Sequence, residues 1–180
     1  MDCGALTITP VPLPADVVVV VRFVAHRTLV GSAYADRVRE CADAEALIGP
    51  LREASSAAAA SIDDPVVRKR AMHVVAENQR VRDFAEALRA GDLAGAGQLM
   101  LASHASLRDL YDTSTAQMDE AVAHVASLPG VHGVRMTGGG FGGCIVALTE
   151  PGALAEGWKV TAVDGARVLD PDETNGEVVG

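Results

Sequence analysis

The sequence is poor in aromatic residues, in basic residues and in long apolar runs, and each shortage excludes a class of protein. It holds one Trp, two Tyr and three Phe in 180 residues, and 15 Lys plus Arg against 24 Asp plus Glu give a formal charge of −9. Nucleic-acid binding requires clustered cations and, for single strands, aromatic stacking surfaces, so we do not expect it. Apolar runs such as residues 17–21 are much shorter than the roughly 20 residues of a membrane-spanning helix. We therefore expect a cytoplasmic protein that binds neither nucleic acid nor membranes.

Cysteine is also scarce, and its spacing does not fit a disulfide framework or a zinc site. Cys3, Cys41 and Cys144 are an odd number of thiols without a CxxC pair. Such thiols are typical of a reducing compartment. We interpret them as structural and predict no metal site. With 49% apolar residues, a chain of this length can bury a core without disulfides or metals.

The chain before residue 130 is predicted to contain two strands followed by helices. Apolar and β-branched runs predict strands at residues 5–9 and 17–24, and a helical pattern covers residues 32–49. Three further helices follow, each with its own capping signal. They begin at Pro65 behind the Asp64 cap, after Asp92 and at Ser114, where Gln117 completes a capping box, and the first of them ends at Gly91.

After Pro129-Gly130 the sequence returns to the alternation of apolar and polar residues that is typical of strands. Strands are predicted at residues 131–136, 144–148, 160–163 and 166–169. Helices grouped before strands predict an α+β class, with helices covering one face of an antiparallel sheet. The Ala/Ser-rich residues 51–62 offer few packing groups, which indicates weak organisation and a module boundary near residue 60.

A glycine-rich loop between two predicted strands is the strongest chemical signal. Glycine lets backbone N–H groups approach an anion closely, so a phosphate-binding loop and a distorted hairpin turn are both compatible with it. A dinucleotide motif would lead into a helix, and a P-loop would end in Gly-Lys-Ser/Thr, so neither fits. The loop consists of Thr137, Gly138, Gly139, Gly140, Phe141, Gly142 and Gly143.

Residues 135–148, which contain this loop, resemble the third signature motif of galactokinases, members of the GHMP family of small-molecule kinases. Residues 73–81, residues 103–109 and residues 29–37 with Cys41 are also similar to galactokinase segments, in the family's order. The resemblance implies a ferredoxin-like GHMP kinase C-terminal domain over residues 61–180. It implies that residues 1–60 are a remnant of the N-terminal kinase domain, and that the strand at residues 17–21 has an unpaired edge.

The resemblance also implies a reaction, the transfer of the ATP γ-phosphoryl group, with magnesium, to the anomeric hydroxyl of galactose. Tyr34 matches the residue that touches a galactose hydroxyl, and residues 137–143 match the loop beside the nucleotide phosphates. The family's Gly-Glu-His motif, its Ser-rich nucleotide loop and its catalytic aspartate have no counterpart here, so no catalytic residue is assigned. We expect the chain to be inactive alone.

Three alternatives remain for the biological role. The chain could be one half of a split kinase completed by a separate N-terminal half, a non-catalytic protein that senses galactose or a related sugar, or a decaying remnant. The segment between residues 148 and 158 is shorter than in the family, as if a helix were lost.

Other polar residues have ordinary structural interpretations. We predict that His73 and His104 are hydrogen-bonded core histidines. We predict that Glu77 and Asp109 form ion pairs on separate helices, and that Arg37 is a structural partner rather than a phosphate ligand.

Overall fold

One four-stranded antiparallel sheet organises the part of the chain that the structure describes. The computed structural model describes residues 2, 4–27 and 33–162. The strands lie in the spatial order β2-β3-β1-β4, which is the ferredoxin-like order, and the α+β class predicted from the sequence is confirmed. The strands are β1 (Val18–Ala25), β2 (Val131–Thr137), β3 (Gly143–Thr149) and β4 (Trp158–Val160).

Five helices are described between β1 and β2, leaving residues 28–32 aside, and their ends follow local capping chemistry. The Asp64 carboxylate accepts hydrogen bonds from the N–H groups of Val66 and Val67, and Gly91 ends the same helix at φ +70°. No helix in the described part of the chain is long and apolar enough to cross a membrane. The helices are α1 (Ala33–Ile48), α2 (Ser56–Ala60), α3 (Pro65–Ala90), α4 (Leu93–Asp109) and α5 (Ala116–Ala126).

Strand β1 is an inner strand of the sheet, which overturns the expectation of an unpaired edge. Val19 is opposite Leu148 of β3 on one side and Val160 of β4 on the other. This pairing explains the Val-rich sequence, because a strand between two neighbours buries β-branched side chains well. The division of the chain at residue 60 stays a prediction, but the sheet combines strands from both sides of it.

The other predicted strands have mixed outcomes. Residues 5–9 do not form a strand, because the Asp2 carboxylate accepts hydrogen bonds from Gly4 and Ala5 and Leu6 takes φ +53° in the resulting turn. Residues 150–157 contain no helix, as the short segment predicted. Strand β4 ends at Val160, and the predicted strand at residues 166–169 lies outside the described residues.

Helix α5 covers one face of the sheet, and α4 runs along β2. The α5 face holds the largest core cluster, in which Met118 and Val134 are fully buried. A Cβ atom built on Gly133 of β2 would lie 2.5 Å from the carbonyl oxygen of Gly97 in α4, so the two backbones nearly touch. On the opposite face, Leu148 packs with Met100 of α4 and Leu88 of α3. Helices therefore pack on both faces of the sheet, and the prediction that they cover only one face is wrong.

The Ala/Ser-rich segment is well packed, contrary to prediction. Leu51, Ala59 and Ile62 are at most 4% exposed and form a second core cluster with Ala44 of α1 and Ala71 of α3. Small side chains are what allow the short helix α2 to approach its neighbours closely. The shortage of large apolar residues therefore did not indicate weak organisation.

Candidate functional site

The glycine-rich loop joins β2 to β3 in a conformation that only glycine adopts easily. Gly138, Gly140, Gly142 and Gly143 have φ angles of +85°, +83°, +115° and +97°. Phe141 is also left-handed, with φ +60°. L-residues with a Cβ rarely take these angles, so the density of glycine follows from the shape of the loop.

The loop is fixed on two sides by backbone contacts. The Phe141 N–H donates a 2.7 Å hydrogen bond to the carbonyl oxygen of Thr113, in the connection between α4 and α5. A Cβ on Gly140 would lie 2.6 Å from the same oxygen, and a Cβ on Gly142 would lie 2.9 Å from the carbonyl oxygen of His26. The loop is therefore wedged between the α4–α5 connection and the end of β1.

A pocket of about 230 Å³ brings Tyr34 together with Gly138 and Gly139. Tyr34 is the second residue of α1 and is 58% exposed, and its Cε2 atom would lie 4.0 Å from a Cβ on Gly139. Of the seven predicted loop residues, only Gly138 and Gly139 line this pocket. The complete lining is Tyr34, Arg37, Val38, Leu107, Tyr111, Thr113, Gly138 and Gly139.

Arg37 holds the pocket wall together through an ion-pair network, which confirms its predicted structural role. Its Nη1 atom donates to the Asp112 carboxylate and to the Tyr111 carbonyl oxygen, both at 3.1 Å, and its Nη2 atom donates to Glu40 at 2.9 Å. Arg70 of α3 binds the second oxygen of Glu40 at 2.7 Å. The network connects α1, α3 and the α4–α5 connection.

Arg27 is a site residue that the sequence analysis missed. A Cβ on Gly143 would lie 3.3 Å from its Nε atom, and a Cβ on Gly138 would overlap its guanidinium group, so the arginine packs directly on the loop backbone. Within the described residues it forms no salt bridge. A lone basic residue after a strand carries no spacing signal, and only the pairing of β1 with β3 brings it to the loop.

The two histidines are buried and hydrogen-bonded, as predicted. His73 is 5% exposed, and its Nδ1 atom lies 2.8 Å from the Ser106 hydroxyl. Burial, together with the nearby charges of Arg80 and Arg135, lowers the pKa of His73 to about 4. The Nε2 atom of His104 lies 3.0 Å from Asp119, yet burial still lowers its pKa.

Tyr111 lines the pocket and also contacts the buried His73. Its ring stacks on His73 with centroids 4.3 Å apart, and its hydroxyl lies 3.6 Å from the Cys41 sulfur. Burial and, to a smaller extent, the hydrogen bond with Cys41 raise the pKa of Tyr111 to about 12. Its phenol therefore stays protonated near neutral pH. Cys41 and Cys144 are half-buried free thiols, and Cys3 lies outside the described residues.

Glu77 and Asp109, the two acidic residues considered in the sequence analysis, already have cationic partners. Glu77 accepts a 2.7 Å hydrogen bond from Ser103 and pairs with Arg80, while Asp109 pairs with Arg108 at the surface, so both predicted ion-pair roles are confirmed. The structure, over the residues it describes, contains no cluster of three metal-ligating side chains. The loop backbone and Arg27 suit a phosphate, but no carboxylate set here suits a magnesium ion.

Comparisons with known proteins show which proteins the chain is similar to. The family described as GHMP kinases C terminal matches residues 84–159. The galactokinase of Chloroflexus aurantiacus is 44% identical over 92% of the chain and 45% of its own length, and that of Roseiflexus sp. is 47% identical over 83% of the chain and 41% of its own length.

Solved structures give the same relationship. Lactococcus lactis galactokinase complexed with galactose superposes with a TM-score of 0.72 at 36% identity, over 83% of this chain and 42% of that one. Mevalonate kinase of L. major in complex with R-mevalonate has a TM-score of 0.52 at 25% identity, over 78% of this chain and 36% of that one. The chain thus spans less than half the length of these relatives. It contains a GHMP kinase C-terminal domain and is related to the C-terminal part of the galactokinases.

Proposed function

We propose that this chain supplies the sugar-contacting tyrosine and the phosphate-side loop of a galactokinase, and that it phosphorylates galactose only when another polypeptide segment completes the site. The observation that carries the proposal is the single pocket that holds Tyr34 together with Gly138 and Gly139. The exposed Tyr34 phenol can donate a hydrogen bond to a sugar hydroxyl. The adjacent loop offers backbone that a phosphate can approach closely.

The charges around the loop support the phosphate role. Phosphoryl transfer depends on positioning and on neutralising the charge of the phosphoryl oxygens. Arg27 places a guanidinium group against Gly138 and Gly143, where it would attract the phosphates of ATP. Magnesium would accompany ATP in the reaction, but the described residues offer it no ligand set, so we assign none of them to it.

A proton acceptor has to come from outside the pocket. Among the described residues its lining contains no carboxylate and no imidazole, and Asp112, which lies beside it, is bound to Arg37. The phenol of Tyr111, whose pKa is raised to about 12 by burial, is protonated and cannot accept the proton of the sugar hydroxyl. We therefore propose that the chain alone gives no turnover, and that a separate N-terminal half would supply the acceptor.

A complementation assay tests the proposal. The chain is incubated with radiolabelled galactose, ATP and Mg²⁺, alone and with the N-terminal part of the Chloroflexus aurantiacus galactokinase. We expect galactose 1-phosphate only in the mixture. Tyr34→Phe should raise the KM for galactose several-fold, since one hydrogen bond to substrate is worth about 1 kcal/mol. Trp158→Phe, at an exposed position on β4, is the matched control and should change nothing.

Two results would contradict the proposal. Product formed by the chain alone would show that a proton acceptor is present after all, and an unchanged KM in Tyr34→Phe would remove the sugar contact.

A sugar-sensing role in a reducing cytoplasm is the second candidate, since a pocket without a proton acceptor can bind a sugar without turning it over. Saturable galactose binding to the chain alone, with no product in the mixture, would favour that role.

A further inference from the structure

A second, larger cavity lies on the opposite side of the sheet from α5. It has a volume of about 350 Å³, is open to solvent on one side and is bordered by α3, α4 and the sheet. Its size falls at the lower end of the range of about 300–1,000 Å³ for small-molecule sites. It shares no lining residue with the pocket described above, although Thr137, the first residue of the glycine-rich loop, lies on its wall. Most of its wall is apolar, and includes Val19, Phe84, Leu99, Val146 and Leu148.

One end of the cavity is polar and carries three charged side chains. Glu77 and Arg80 of α3 face Arg135 of β2, with Ser103 of α4 between them. Arg135 donates from Nη1 to the Ser103 hydroxyl at 2.9 Å and lies 3.6 Å from the Glu77 carboxylate. Glu77 also pairs with Arg80. The side chains of Glu77, Arg80 and Arg135 are 19%, 17% and 32% exposed, so water reaches them only in part.

The charges that line this end do not balance. Two guanidinium groups share a single lining carboxylate, which leaves the lining with a net positive charge. Asp83, one turn further along α3, is near enough to act on Arg80 but does not line the cavity. Partial burial lowers the pKa of both arginines, and the charge of Arg135 contributes to the lowering at Arg80. A second anion would relieve this repulsion, and a carboxylate matches the planar fork of an arginine.

We propose that this cavity binds a small amphipathic carboxylic acid. Its apolar body would lie between Phe84, Leu99 and Val146, and its carboxylate would bind Arg80 and Arg135. A neutral molecule of the same shape would leave the positive charge uncompensated, and a cation would increase it. The occupant is therefore an anion with an apolar tail rather than a sugar or a nucleoside.

Titration calorimetry on the full chain tests the site with octanoate below its micellar concentration. The comparison ligands are 1-octanol, which has the same tail without charge, and octylammonium, which has the opposite charge. Arg80→Gln removes one guanidinium from the cavity. Arg82→Gln removes one from the exposed side of α3 and is the matched control. Leu99→Trp fills the apolar part, and circular dichroism confirms that each variant is folded.

We expect saturable 1:1 binding of octanoate, with octanol at least tenfold weaker and octylammonium not bound. Arg80→Gln should weaken octanoate binding at least tenfold, since hydrogen bonds between charged groups are the stronger ones. Arg82→Gln should not change binding, and Leu99→Trp should abolish it. Equal binding of octanoate and octanol, no saturable binding, or an unchanged affinity in folded Leu99→Trp would each overturn the proposal. Displacement of octanoate by equimolar ATP would assign the cavity to the nucleotide and overturn it as well.

Discussion

Replacing Gly97 by alanine should destabilise the protein, although the same change in most helices is stabilising. Gly97 lies inside α4, where alanine is favoured over glycine by about 1 kcal/mol. Here the new Cβ would overlap the carbonyl oxygen of His132 and lie 3.1 Å from the amide nitrogen of Gly133. Both atoms belong to the backbone of β2, which cannot rotate away as a side chain would. The helix therefore has to move away from the strand.

The size of the effect follows from that displacement. An ordinary carbon contact is about 3.5 Å, whereas the new Cβ at position 97 would overlap the His132 carbonyl oxygen, so α4 has to retreat from β2 by more than about 1 Å. Overpacking of this kind costs about 1–3 kcal/mol, and backbone on both sides favours the upper end. After subtraction of the gain in helix propensity, we expect a net loss of about 2 kcal/mol, or roughly 4–8 °C in Tm.

Urea unfolding followed by circular dichroism measures this loss. Gly95→Ala is the control, because it gains the same helix propensity and its Cβ would meet only the side chain of Asp92. That side chain caps α4, so a partial loss of the cap offsets the gain, and the control should stay within about 1 kcal/mol of the parent. A Gly97→Ala protein as stable as the parent, or more stable, would show that α4 does not approach β2 this closely.

Two further predictions concern His73 and the Ala/Ser-rich segment. Because burial lowers the pKa of His73 from 6.5 to about 4, the unfolded chain takes up this proton first, so about 3 kcal/mol of stability present above pH 6.5 should be lost as the pH falls towards 4. The slope of unfolding free energy against pH should be smaller in His73→Gln than in the parent, and it should be unchanged in the control His124→Gln, whose side chain is exposed. Equal slopes in the parent and both variants would show that His73 is not the group responsible. Trypsin should leave Arg52 uncut in the native chain, since Leu51 beside it is 3% exposed, whereas early cleavage there, found by peptide mapping, would support a boundary near residue 60.

Local signals in the sequence predicted the helices well. Asp64, Gly91 and Asp92 act as caps where expected, because capping depends only on residues within one turn. The start of α5 is shifted by one residue: Thr115 caps it, and the Ser114 hydroxyl is bound to Asp119 instead. The choice between two adjacent hydroxyl residues depends on that additional contact, which the spacing alone does not reveal.

Long-range contacts were not predictable in the same way. The Val-rich pattern of β1 indicated a strand with both faces buried, but nothing within residues 17–25 identifies β3 and β4 as its neighbours. The motif resemblance grouped Tyr34 with the glycine loop, and the structure places them in one pocket. Arg27 belongs to no motif, so only the assembled sheet shows that it contacts the loop.

The position of β1 in the sheet is therefore what assembles the candidate site. Ala25 at its end is paired with Gly143 at the start of β3, and this pairing sets the carbonyl oxygen of His26 against Gly142. Arg27 follows directly and packs on the same loop, and α1, which carries Tyr34, is the next element along the chain. An unpaired β1 would have no fixed position relative to the loop, and neither Arg27 nor Tyr34 would be held there. Strand β1 and the glycine-rich loop are therefore parts of the same candidate site, although the helices separate them in the sequence.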